Sequence, residues 1–200
     1  TGGLSWQADY VAELNATDDR LNLSGWVTLT NESGAVYPQA RLQLVAGDVN
    51  VVQRELEPRA ARMEAMAAGL APAPKPMAEE SMFEYHLYTL DRSTTIGEKQ
   101  KKQVALLAAD AVQCRKEFLF RGQNYYFTTQ VGEIGRKMKV GVFVEFANDK
   151  KAGLGQPIPG GVVRVYKKDS NGFLQFVGED KVDHTPEKER VRLHLGDAFD

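Results

Sequence analysis

The run AGLGQPIPGG, residues 152–161, places four glycines and two prolines in ten residues. A loop of this kind binds phosphate when it joins a strand to a helix and a Lys and a hydroxyl residue come after the last glycine, so that amide dipoles and an ammonium converge on the anion. Here Pro157 and Pro159 remove two amide donors and push Gln156 and Ile158 toward extended geometry. The next residues are VVRVY, alternating and β-branched, so no helix N-terminus is on offer and the dinucleotide fingerprint fails with it. The run reads as a corner that delivers the chain into a strand, with Gly160 and Gly161 as its candidates for positive φ.

Metal chemistry has one place to form. His86, His184 and His194 are far apart, no Cys pair exists and HExxH is absent, so transition-metal spacing is missing. Only EDKVDHTP gathers oxygen donors, with Asp180, Asp183 and Glu179 close to His184. A cation such as calcium is the ligand those groups would take, and an ordinary charged turn before a proline is the simpler reading. No catalytic residue is assigned and no cofactor is implied. GxSxG is absent, and Cys114, between Gln113 and Arg115, reads as a strand cysteine sharing parity with Val112, Phe118 and Phe120. Acid pairs for hydrolysis would have to converge across a cleft, and the sequence does not choose among them. Trp26, Phe83, Tyr85, Tyr125, Tyr126 and Tyr166 include several that fall on polar-parity faces or beside turns; Trp26, Tyr85 and Tyr166 are the candidates for an aromatic interaction face.

The elements that must hold these residues are strands. LSWQADYVAEL puts Leu4, Trp6, Ala8, Tyr10, Ala12 and Leu14 on one side, and LNLSGWVTLTN puts Leu21, Leu23, Val27 and Leu29 on one side. ARLQLVAGDV reads as a third strand of the same antiparallel meander. MFEYHLYTL, KQVALLA, VQCRKEFLF, NYYFTTQV, KMKVGVFVEFAN, GVVRVYKK, FLQFVGE and RVRLHLG bring the total to about eleven strands. Two packed antiparallel sheets are the natural arrangement, so the expected fold is an all-β, two-layer antiparallel β-sandwich. KKDSNGF marks a hairpin, because Asn171 and Gly172 accept positive φ. Three runs, LVAGDV, FVGEDK and HLGDAF, pair Gly with an acid where a strand is expected to end. Residues 53–80 contain no β-branched or aromatic residue and read as an Ala/Met/Pro-rich insertion in a single domain spanning 1–200. That insertion has room for one short helix, opened by Pro58, closed by Gly69 and striped by Met63, Met66 and Leu70.

Composition bounds the partners. The chain has 25 Lys and Arg against 27 Asp and Glu, net charge −2, with its basic residues scattered, which excludes the concentrated basic face of a nucleic-acid protein. Apolar residues at 42% and charged residues at 26% are those of a globular domain. No apolar run reaches the length of a membrane span. The chain opens at TGGLSW without an initiator Met and reads as a fragment of a longer protein.

GLSWQADYVAELN, LSGWVTLTNESGAVYPQARLQLVAGDVN, EYHLYTLDRSTTIGEKQKKQVALL and the C-terminal run from GLGQPIPGG to LGDAFD together resemble the bacterial domain-of-unknown-function family 4139, a mucoidy-inhibitor-like C-terminal domain. The resemblance covers nearly everything outside the insertion. It implies a β-rich domain of a longer, often exported bacterial protein, periplasmic or otherwise outside the cytoplasm, and brings no catalytic residue or cofactor. The expected role is a non-enzymatic binding or scaffold module of the cell envelope meeting protein or glycan. The alternative is a hydrolase-like enzyme with acids converging between sheets.

Overall fold

Clean alternation builds the first two strands, β1 (Leu4–Leu14) and β2 (Arg20–Asn31), which pair antiparallel along their whole length through a turn at residues 15–19. The computed structural model of the chain describes residues 2–46, 77–82, 85–90, 92–122 and 138–199. Alternate residues of both strands face inward, so Ala8, Tyr10, Ala12 and Leu14 meet Leu21, Leu23, Val27 and Leu29 in one core. The described residues are all-β, with no helix among them, and form twelve strands in three sheets.

The remaining strands are β3 (Tyr37–Ala40), β4 (Gln43–Ala46), β5 (Ala78–Met82), β6 (Tyr85–Thr89), β7 (Thr94–Ile96), β8 (Lys101–Leu119), β9 (Gly141–Ala147), β10 (Gly161–Lys168), β11 (Leu174–Val182) and β12 (Arg190–Asp197). The large sheet runs β11-β10-β1-β2-β8-β9-β12, and its two end strands curl round to face each other, so the sheet is nearly closed. Inward residues from every strand fill it, including Val104, Val112, Val144, Phe146, Val163, Val165, Val182, Val191 and Leu193. Among the described residues no helix is long and apolar enough to cross a membrane.

Several expectations change. The meander stops at β2, whose second neighbour is β8; of the third expected strand only β4 forms among the described residues and it pairs with β6, while the preceding β3 pairs with β7. Together with β5 they form an arm inserted between β2 and β8. One pairing is parallel, not antiparallel: β10 lies beside β1 with Ala8 opposite Gly161 and Leu14 opposite Lys167. KQVALLA and VQCRKEFLF are one strand, β8, because two irregularities break the alternation by which a strand is recognised in sequence. At the first, Leu106 and Leu107 are both buried; at the second, Ala111 has φ 54° and its N–H donates to the Asn22 side chain at 2.9 Å. The insertion ends sooner than residue 80: Met77 is buried and β5 begins at Ala78. The helix expected within it, and the strand NYYFTTQV, lie outside the described residues, as do Phe83, Tyr125 and Tyr126. Finally, Gly178 lies inside β11 and not at its end, whereas β12 does end on Gly196 and Asp197, and Gly47 and Asp48 lie outside the described residues; register shifts occur beside Tyr166, opposite β11, and between His194 and Gly196.

Candidate functional site

Tyr10 explains the glycine-rich run. Its ring, fully buried on β1, sits where a side chain on Gly25 of β2 would otherwise stand, since a Cβ there would be 2.8 Å from the ring. On its other flank Gly161 begins β10 so close to β1 that a Cβ would strike the Ala8 carbonyl oxygen. The Tyr10 hydroxyl then donates to the Pro159 carbonyl at 2.7 Å, and Tyr88 of the arm donates to the Pro157 carbonyl at 2.7 Å. Burial pushes both phenols up from their ordinary value, Tyr88 and Asp9 adding to the shift at Tyr10 and Glu79 to that at Tyr88, so both remain donors. Pro157, Ile158 and Pro159 are buried, and Ile158 bridges Thr185. The loop is thus an internal plug between arm and sheet, with its carbonyls rather than its amides engaged by the tyrosines. Positive φ falls at Gly153 and Gly155; Gly160 and Gly161 lack it, and Gly161 is required by close approach instead.

The same plug is fastened by a residue that composition does not flag. Asn148 is fully buried, and its side-chain amide donates to the carbonyls of Gln156 at 2.8 Å, Pro186 at 3.0 Å and Thr185 at 3.3 Å, while its Oδ1 accepts from Gly155 N–H at 3.2 Å. Asn31 does the same at the arm's root, donating to Ala35 and Gly97 carbonyls, each at 2.8 Å. A buried amide satisfied on both sides ties loops that carry no regular structure of their own. The only sequence signal is an Asn at the end of an alternating strand.

The oxygen cluster disperses. Asp180 Oδ2 accepts the His194 N–H at 2.7 Å and its Oδ1 accepts the Lys181 N–H at 2.8 Å; Glu179 pairs with Arg164 at 3.3 Å. The Asp183 carbonyl accepts the Thr185 hydroxyl at 2.9 Å, and His184 Nδ1 accepts the Gly160 N–H at 3.1 Å. Among the described residues no group of three or more His, Cys, Asp or Glu is placed to hold a metal ion.

The aromatic candidates also separate. Trp26 and Tyr166 lie on the outer face, but Trp26 is opposite Asp9 and Tyr166 opposite Glu13, on opposite flanks of β1. Four residues of strand put them about 13 Å apart along β1 at about 3.3 Å per residue. The side chain of Tyr85 lies outside the described residues. What Tyr166 does meet is Phe176 of β11, edge to face with ring centroids 5.7 Å apart. Phe176 belongs to an exposed apolar run, Phe173, Leu174, Phe176 and Val177, in which Phe173 is 68% and Phe176 56% exposed. The sequence shows that run as FLQFV, which reads as part of a strand and carries no sign that it is exposed.

Two ionic groups complete the surface. On the outer face of β8, β9 and β12, Arg115 joins Glu117 at 2.8 Å and Glu145 at 3.0 Å, Arg190 joins Glu145 at 2.8 Å and Arg192 joins Glu117 at 3.0 Å. Arg192 also lies over the Phe143 ring, 4.3 Å from its centroid. The two carboxylates meet, but each is bridged by arginines on an exposed face rather than set in a cleft. At the end of the sheet where β1 gives way to β2, Asp18 receives Lys116 of β8 and Lys167 of β10, both at 2.6 Å. Cys114 lies beside it, half-buried, with Sγ 3.8 Å from the Asp18 carbonyl oxygen. Phe118 and Phe120, which share its strand parity, are exposed, unlike Val112.

No protein-family model matches this chain, and no curated protein matches it.

Proposed function

We propose that this domain is a non-enzymatic binding module of the bacterial cell envelope, on an exported protein, and that the first half of β11 is where it meets a protein partner. One observation carries the reading: Phe173, Leu174, Phe176 and Val177 are four exposed apolar residues within five positions, backed by Tyr166. Exposed apolar groups of this density are the ordinary mark of a contact surface. Their chemistry favours protein over glycan, since phenyl and aliphatic groups bury well against an apolar partner but offer sugars no hydrogen bonds. The bacterial and envelope part of the proposal comes from the sequence resemblance to family 4139. The proposed finer architecture is a flattened barrel, with β10–β1–β2 as one layer of a sandwich and β9–β12 as the other, around the shared core.

The test is photo-crosslinking in the producing cells, with a benzophenone amino acid at position 176 and, as a control, at the exposed position 101 on β8. A single protein adduct formed at 176 but not at 101, and lost on Leu174→Ser substitution with an unchanged melting curve, is the expected result. Adducts absent at 176, or formed equally at both positions, overturn the assignment of this surface. Turnover of a glycoside or ester substrate that Glu145→Gln abolishes would replace the binding role with the hydrolase.

A further inference from the structure

We propose that the large sheet is built to open along one seam, between β11 and β12, while the rest of it stays closed. These are the two ends of the strand order, and every other neighbouring pair in the sheet is joined by a backbone ladder. Among the described residues no ladder joins β11 to β12. What joins them is a side chain: Asp180 of β11 reaches across and its Oδ2 accepts the N–H of His194 on β12 at 2.7 Å. Beside that bond the two backbones touch at a glycine, where a Cβ on Gly178 would be 2.7 Å from the Leu195 carbonyl oxygen and 3.0 Å from its Cα.

The absence of a ladder has a local cause. The pairing of β10 with β11 shifts register between Val165 and Tyr166, at Gly178, and the pairing of β9 with β12 shifts between His194 and Gly196. Such irregularities bend and over-twist a strand. Both seam strands are therefore deflected at the level where they meet, and regular pairing cannot propagate from one to the other. Asp180 supplies the hydrogen bond that the geometry denies the backbone. Behind the seam lie Val165, Val182, Val191 and Leu193, all buried, so opening exposes both strand edges and the apolar interior together. Strand to strand, the closure rests on one side-chain hydrogen bond and one glycine contact, so the apolar packing behind it is the main resistance, and parting here costs less than parting any pair that a backbone ladder also joins.

The test is amide hydrogen exchange on the whole chain, read for the amides with which β11 bonds β10 and β12 bonds β9, against those shared by β1 and β2. In the unsubstituted protein the first group exchanges faster than the second. Asp180→Ala accelerates the first group by about threefold to tenfold, the size expected for losing one exposed charge-assisted bond, and leaves β1 and β2 unchanged. Asp183→Ala, in the neighbouring loop, changes neither group. Equal protection of the two groups in the unsubstituted protein overturns the proposal, as does an Asp180→Ala variant whose exchange is unaltered or rises equally in every strand.

Discussion

Asp18 shows how one turn residue acts on three elements. It sits at φ 58° between β1 and β2, its side chain is only 13% exposed, and each carboxylate oxygen takes a lysine from a different strand. Partial burial pushes its carboxyl up, but the hydrogen bonds and charges of Lys116 and Lys167 outweigh that and hold it below the ordinary aspartate value. A carboxyl depressed in the folded state contributes stability above its unfolded pKa of about 4, and that contribution is lost as pH falls through the lower folded value. Asp18→Asn is therefore expected to cost about 1 to 3 kcal/mol near neutral pH, mainly by leaving two ammonium groups without their acceptor. Urea titrations at several pH values check this: the gap between the two proteins should be full at neutrality and shrink in the acid range below about pH 4. A gap of constant size across that range would mean that the carboxylate charge is not what matters. Next to it, burial pushes the Cys114 thiol up to about 11, with Asp19 and Asp18 adding to the shift, so about one thiol in a thousand is ionised at pH 8. A thiol reagent should label native Cys114 far more slowly than the denatured chain. Equal rates would show that the thiol is neither shielded nor raised.

At the scale of elements, what the sequence discloses is whatever has a short period. β1, β2, β10 and the 169–173 hairpin are legible from alternation and turn residues, and Asp169 caps that hairpin by accepting from Asn171 and Phe173 N–H groups at 2.9 Å and 3.0 Å. What it conceals is partnership at a distance. Nothing local says that β10 lies parallel to β1, or that a tyrosine 149 residues before Pro159 and another 69 residues before Pro157 hold the glycine-rich corner. Likewise β8 reads as two strands because its bulges destroy the period, and FLQFV reads only as a strand because periodicity does not say which side of a strand is covered. The acidic run around His184 is close in sequence, yet Asp180 turns to the His194 amide, His184 to the Gly160 amide and Glu179 to the Arg164 guanidinium. The corner yields the prediction at this scale. Tyr88→Phe leaves the Pro157 carbonyl buried without a donor and should lower stability by about 1 to 3 kcal/mol. Gly161→Ala should cost more, because its Cβ meets backbone that cannot step aside without parting β10 from β1. Thermal melts of both variants decide it. A Gly161→Ala protein as stable as the parent would mean that β10 can shift freely along β1, and the plug would not be a fixed element of the fold.

Over the whole molecule, the arm and the large sheet share one apolar interior, so they are expected to unfold as one body rather than as a domain and an appendage. Buried residues of the arm, Leu42, Leu44, Met77, Tyr88 and Leu90, belong to the same apolar cluster as the sheet interior. They are coupled to it through the plug: Tyr88 holds Pro157, Asn148 holds Gln156, and Asn31 anchors Gly97 where the chain returns from the arm. A replacement of the insertion by a flexible linker must therefore stop at residue 76, because carrying it to residue 79 removes buried Met77 and the first residues of β5. The strongest check is a lesion in the arm read across the entire chain. Leu90 is buried, so Leu90→Ala should cost about 2 to 5 kcal/mol through lost burial and the cavity left behind. In a chain of 200 residues each kcal/mol moves the midpoint by about 2 to 4 °C, so a drop of roughly 4 to 20 °C is expected. If arm and sheet fold together, the whole transition moves down as one, and tryptophan fluorescence, reporting Trp6 and Trp26 in the sheet, tracks the same curve as circular dichroism. An early transition seen by circular dichroism while the fluorescence midpoint stays in place would instead show that the arm melts by itself. The plug would then be a hinge between two independent units.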